Sequence, residues 1–142
     1  MLVPTSSLFF LILLSVDSKS IPIILDSDIG PDCDDAGAAA IVNSAVVQGR
    51  ANLIAQGCCT SDDYGAPTLD AISRFFGNPE VPIGTYKPRG FLSGPDFERY
   101  NKFVALNFPN KLYSNGSYAL DAVFIYRSAL ATAVESDVVF IA

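Results

Sequence analysis

The sequence predicts an α/β fold built on an open, mostly parallel sheet with helices on both faces. Three observations predict it. Short β-branched or continuous apolar runs recur along the chain, and each is followed by a longer segment of helical pattern. Gly and Pro breakers separate the two kinds of segment. The first apolar run opens directly into a dense group of acids, as expected where functional loops leave the carboxyl ends of parallel strands.

The elements follow in order. Ile21 to Leu25 (IPIIL) reads as a central strand, because a strand covered on both faces is apolar throughout. Residues 26–34 form a loop broken by Gly30 and Pro31. Asp35 to Gln48 is Ala-rich and starts with acids, matching a helix whose N-terminal dipole favours negative charge, and Gly49 ends it. Ala51 to Gln56 is a second strand. Tyr64 to Phe76 is a second helix, with Leu69, Ile72, Ser73 and Phe76 at helical spacing, stopped by Gly77-Asn78-Pro79. Val81 to Tyr86 is a third strand, short and flanked by prolines. Residues 87–117 are irregular, rich in Pro, Gly and aromatics, with a short helix expected around Asp96 to Leu106. Ala119 to Val134 is a further helix, and Val138 to Ala142 a final buried strand.

Composition narrows the chemistry. The chain has 142 residues, 15 acids against 9 bases, a net charge of −6, and no His. Such an acidic balance argues against nucleic acid or an anionic membrane as partner, because phosphate selects Lys and Arg patches. Without His, Ser-His-Asp and Cys-His mechanisms are excluded, as are the usual His-containing zinc sites. Cys33, Cys58 and Cys59 are too few for a disulfide framework, although a Cys33–Cys58 or Cys33–Cys59 bridge is left open.

Both ends of the chain carry expectations of their own. Leu8 to Val16 (LFFLILLSV) is too short for a bilayer span of about 20 residues but has the length of a signal-peptide core. Residues 1–20 are therefore expected to be a secretory leader, and residues 21–142 the folded part. Asn115-Gly116-Ser117 has the form of an N-glycosylation acceptor, which suits an extracellular protein. The last apolar run reaches Ala142 with no loop after it, so the sequence reads as the N-terminal part of a longer, truncated domain.

The loop after the first strand reads Asp26-Ser27-Asp28-Ile29-Gly30-Pro31-Asp32-Cys33-Asp34-Asp35, with five of the fifteen acids in ten residues. Carboxylates this close repel, and the repulsion grows with burial. The group therefore needs a cation, raised pKa values or full solvation. Oxygen ligands without imidazole favour Ca²⁺ or Mg²⁺ over zinc, and several loosely arranged carboxylates lean toward Ca²⁺. An EF-hand does not fit, since the fifth position is Gly30 and the twelfth Gly37 rather than Glu. A simple solvated loop with Asp34 as a helix cap is the plainer alternative.

Two families begin in this way. Haloacid-dehalogenase-like Mg²⁺-dependent phosphatases use strand-D-x-D, with the first Asp as nucleophile, and Asp26-Ser27-Asp28 fits that short piece. Residues 23–38, IILDSDIGPDCDDAGA, resemble the whole acidic signature of the inosine–uridine nucleoside hydrolase family, in the branch with two extra residues between the Gly and the Asp pair. The likeness continues through residues 51–87 and through ALDAVFIYRSAL, so that it covers residues 21–142.

The resemblance implies a Rossmann-like core and Ca²⁺-dependent hydrolysis of the N-glycosidic bond of ribonucleosides to ribose and base. Carried over by motif position, Asp28 is the expected general base and a metal ligand, and Asp35 a second metal ligand. Asp34 is expected to contact the ribose hydroxyls. Asp26 supports the loop, and Asp32 falls in the extension without a role. Asp62 replaces the family's Asn after the second strand, as a substrate contact or as a helix cap before Tyr64. The implied partner is a small nucleoside, with no nucleic acid and no membrane, and with homo-oligomerisation left open. The family's remaining ligands and its leaving-group His lie beyond the last strand, so little or no hydrolase activity is expected of the chain as given. A non-catalytic secreted fragment is the third reading.

Overall fold

The computed structural model describes residues 20–133 and 137–142. Apart from Ser20, the expected leader lies outside the described residues, as does Val134 at the end of the last expected helix. Five strands and four helices alternate. The strands are β1 (Ile21–Ser27), β2 (Ala51–Cys58), β3 (Ile83–Thr85), β4 (Leu120–Asp121) and β5 (Val139–Ile141). The helices are α1 (Asp34–Val47), α2 (Gly65–Phe75), α3 (Tyr100–Asn107) and α4 (Ala122–Thr132), with one turn of 3-10 helix at Gly116–Tyr118.

The sheet runs in the order β4-β3-β2-β1-β5, and every pair is parallel. The architecture is therefore the expected Rossmann-like α/β fold. Parallel strands need cover on both faces, and the period-two alternation of β1 provides for it. Leu25 and the half-buried Ile23 join one core with Leu53, Ile83, Ala39, Val42 and Leu69, under α1 and α2. Ile24 turns the other way, into a second core with Ala55, Ile125 and Ala129 under α4. Between the two registers β2 carries one extra residue. Ile23 pairs with Leu53 but Ile24 with Ala55, a bulge that keeps like faces together.

Helix ends follow from glycine. After α1, Gly49 takes φ +69°, and the Arg50 and Gly49 N–H groups donate to the carbonyls of Ala45 and Val46. Gly77 does the same for α2 at φ +84°, with Asn78 donating to Ser73 and Gly77 to Arg74. These are Schellman closures that satisfy the last carbonyls of each helix. Beside them, buried Asp70 on α2 accepts from Arg74 Nε at 2.8 Å and from the Lys111 backbone N–H at 2.6 Å, which ties the irregular segment down.

Three expectations are corrected. The third strand is only Ile83–Thr85, because Pro79 and Pro82 have no N–H to donate to a ladder. The last helix starts at Ala122 rather than Ala119, since the Asp121 side chain accepts the Phe124 N–H and caps it there. The residues in front, Leu120 and Asp121, pair with β3 as the unexpected β4. The short helix of the irregular segment lies later than expected, at Tyr100–Asn107.

Sheet order decides where chemistry can sit. The chain moves from β1 through β2 to β3 on one side of β1, and β5 then takes the other side. The carboxyl ends of β1 and β5 flank a topological switch point, the place in such sheets where a crevice opens. The acidic loop leaves β1 there.

Candidate metal and ligand site

The acidic loop is pinned before it reaches its acids. Ile29 is fully buried in the first core. A side chain on Gly30 would put Cβ 2.9 Å from the Phe97 ring and 3.1 Å from the Asp28 carbonyl, so only glycine allows that approach. The Ser27 hydroxyl sits at the centre of the turn, accepting the Ile29 N–H at 3.0 Å and donating to Asp35 Oδ1 at 2.9 Å. Ser27 is buried and makes the link between the end of β1 and the start of α1. Nothing in the residue type marks it in the sequence, because the bond spans a loop whose path only the fold sets.

Asp34 and Asp35 occupy the first turn of α1, where the helix dipole favours negative charge. Asp32, Asp34 and Asp35 place one carboxylate oxygen each within 4.8 Å of one another. Two unit charges at that separation repel by about 1 kcal/mol even in water, and by more where water is partly excluded. Asp32, left without a role by its sequence position, thus belongs to the group. Asp28, the expected base and ligand, is exposed and stands outside this triad. The Asp35 carboxyl is pushed up to about 6, first by burial and then by Asp28 and Asp34, with the Ser27 hydroxyl pulling the other way. A proton on Asp35 offsets the crowding, and a cation would do the same.

Asp26 serves another face. It accepts a hydrogen bond of 2.5 Å from the Tyr126 hydroxyl on α4. Burial and this neighbouring carboxylate raise the Tyr126 pKa, so the phenol keeps its proton and remains a donor. Gly57 on β2 lies flush against that ring and leaves no space for a Cβ. Tyr126→Phe is expected to cost about 1–2 kcal/mol, because a half-buried carboxylate loses its donor. Urea unfolding would measure this, and an unchanged midpoint would mean that water replaces the phenol.

Asp62 is almost fully buried and already committed. It accepts the Tyr64 N–H at 3.0 Å and the Asn101 amide at 2.9 Å, which makes it an anchor for the start of α2. Burial lifts its carboxyl to about 6, with Glu98 and Asp63 adding to the rise and the Tyr64 and Gly65 amides opposing it. It also borders a cavity of about 410 Å³ beyond β2 and β3, with Thr85, Lys87, Arg89 and Glu98. Phe97 touches the acidic loop while Glu98 faces this cavity, so the two places share a wall.

The remaining chemistry is quiet. All three cysteines are free, with Cys33 exposed just before α1 and Cys58 buried. Burial pushes the Cys58 thiol up to about 12. The Cys59 thiol rises to about 11, through burial first and then Asp26 and Asp28. In the sequon, Asn115 Oδ1 accepts the Ser117 N–H at 2.8 Å. Among the described residues no helix is long and apolar enough to cross a membrane. Comparison with known proteins yields no match to any family model, curated protein or solved structure.

Proposed function

We propose that the loop after β1 is a Ca²⁺-dependent ribonucleoside site, and that the chain is nucleoside hydrolase-like. The observation that carries this reading is the convergence of Asp32, Asp34 and Asp35 at the switch point of a parallel sheet, with Asp35, the most buried of them, held by the Ser27 hydroxyl. The donor set is oxygen only, which fits a hard cation.

In this reading Asp28 and Asp35 would hold the ion, with Asp32 as an added oxygen, and Asp34 would accept hydrogen bonds from the ribose hydroxyls. Bound Ca²⁺ would orient the ribose and acidify a water molecule. Asp28 is exposed, in reach of solvent, and would act as the base toward water held at the site. The carboxylates stabilise positive charge that develops on the sugar as the glycosidic bond breaks. The Ser27 hydroxyl fixes Asp35 Oδ1, which would leave Oδ2 for an ion. The phosphatase alternative needs Asp26 as a free nucleophile, and its hydrogen bond to Tyr126 weighs against that role.

Calorimetric titration with CaCl₂ at pH 7.5, alone and with inosine, tests the reading. The expected result is saturable binding of one Ca²⁺, tightened by inosine. No heat up to millimolar Ca²⁺ would overturn it. Ribose release from inosine and uridine, absent in Asp28→Asn, would establish the hydrolytic step.

A further inference from the structure

We propose that Asn115 carries an N-linked glycan, and that the exposed ring pair of Tyr113 and Tyr118 packs against its first sugar. The modification requires export, which rests on the leader expected over residues 1–20, and it is independent of the chemistry of the acidic loop.

The sequon Asn115-Gly116-Ser117 is fixed by its middle residue. Gly116 is buried, its N–H donates to the Asp63 carbonyl at 2.6 Å, and a Cβ there would stand 3.2 Å from the Asp62 and Asp63 carbonyl oxygens. Lys87 Nζ donates to the Ser117 carbonyl at 3.1 Å. The backbone of the sequon is thus tied to the fold, while the groups that glycosylation uses stay free. Asn115 Oδ1 accepts the Ser117 N–H, but Nδ2 has no protein partner among the described residues and is not buried. Ser117 is exposed, and its hydroxyl has no protein partner among them either.

The turn in front explains more. The Asn115 N–H donates to the Leu112 carbonyl at 2.9 Å and closes a turn whose central residues, Tyr113 and Ser114, have φ +50° and +61°. Both lie in the left-handed region, which Gly, Asn and Asp adopt far more readily than Tyr. Apolar burial does not account for the tyrosine, since Tyr113 is 84% exposed. Tyr118, on the other side of Asn115 in sequence, is 67% exposed, and the two rings meet edge to face with centroids 6.2 Å apart. Two aromatic rings are therefore held in water within one short turn of a free amide nitrogen. The C–H face of a pyranose on Nδ2 would cover them, which gives the strained backbone and the exposed rings a common purpose.

In the transfer, Nδ2 attacks the anomeric carbon of a lipid diphosphate-linked oligosaccharide. A C–N bond forms, the C–O bond to phosphate breaks, the lipid diphosphate leaves, and the amide gives up one proton. The oligosaccharyltransferase of the host brings this donor to the chain.

Expression of the full chain in a eukaryotic secretory host tests this. The secreted protein should carry one glycan, mapped to Asn115 by peptide mass and removed by peptide-N-glycosidase. Ser117→Ala should abolish it while keeping the bond from the Ser117 N–H to Asn115 Oδ1. The glycosylated wild type should melt about 4 °C above Ser117→Ala, the size of one added aromatic contact in a domain of this length. In a Tyr113→Ala background that difference should largely vanish. A secreted chain with Asn115 unmodified would overturn the proposal. So would a chain left unmodified inside the cell, which would also refute the leader. A glycan that stabilises equally with and without Tyr113 would overturn the role of the rings.

Discussion

Asp35→Asn should raise the melting temperature of the cation-free protein at pH 7 while weakening Ca²⁺ binding on the order of 100-fold, or about 2.7 kcal/mol. The two effects have one origin. The Asp35 carboxyl has a pKa of about 6 in the folded chain against 3.8 unfolded, because of burial and the nearby acids. Between those values the folded state binds more protons than the unfolded state. Stability therefore falls as pH rises through that window, and the loss is complete above about pH 6. Asn resembles the protonated acid. Its Oδ1 still accepts from Ser27, and the repulsive charge is gone at every pH. Thermal melts from pH 4 to pH 8 should show a flatter profile for the variant. The burial of Asp62 leaves a residual slope of the same sign in both proteins. Added Ca²⁺ should reverse the ranking, since only the wild type gains the stabilisation that mass action gives a bound ligand. By the same logic, wild-type Ca²⁺ affinity should fall as pH drops below about 6. A variant less stable than wild type at pH 7 without Ca²⁺ would show that the Asp35 charge is favourable in place, and would remove the argument for a cation.

Gly84→Ala is expected to be the most damaging change of a single methyl group. Gly84 lies in β3, and a Cβ there would fall 2.6 Å from Ala122 Cα and 3.0 Å from Ala122 N. These are backbone atoms at the start of α4, so no rotamer change relieves the contact. The helix must lift from the sheet, which opens the second core around Ile24, Ala55, Ile125 and Ala129. Overpacking of this kind costs about 3 kcal/mol. For a chain of this size that is a fall in melting temperature of roughly 10 °C. It should also move Tyr126, and with it the support of Asp26, without touching any acid of the loop. A melting temperature within a degree or two of wild type would mean that α4 is not held against β3 in this register.

The sequence exposed the sheet and most of the helices because their signals are local. IPIIL and ANLIAQ are legible as strands and the Ala-rich run after Asp35 as a helix, since each pattern recurs over its own length. The start of α4 was not legible as a boundary. Ala119 to Val134 is one helical pattern, and only the Asp121 cap decides where it begins. At the site, Asp28, Asp34 and Asp35 stood out through their spacing. Asp32 did not, because its place among them depends on the path of the loop from Gly30 to Cys33. Tyr126 carried no signal of its own in the sequence. Its hydroxyl acquires meaning only when α4 brings it to Asp26 on β1, about 100 residues away in sequence. Asp62 was open between cap and substrate contact, and its bonds to Tyr64 and Asn101 explain why a buried acid is tolerated there.

The three thiols differ enough in setting to make the protein its own reporter. Cys33 is exposed at the mouth of α1, between Asp32 and Asp34. Cys58 and Cys59 are held as thiols up to about pH 12 and 11. Alkylating reagents need a thiolate, so near neutral pH both should be far slower than an ordinary cysteine. A fluorophore maleimide should therefore attach at Cys33 in the unmodified sequence, beside the carboxylates whose occupancy is in question. Any ion or sugar that settles among them would change the dye's surroundings, giving a titration signal without an engineered residue.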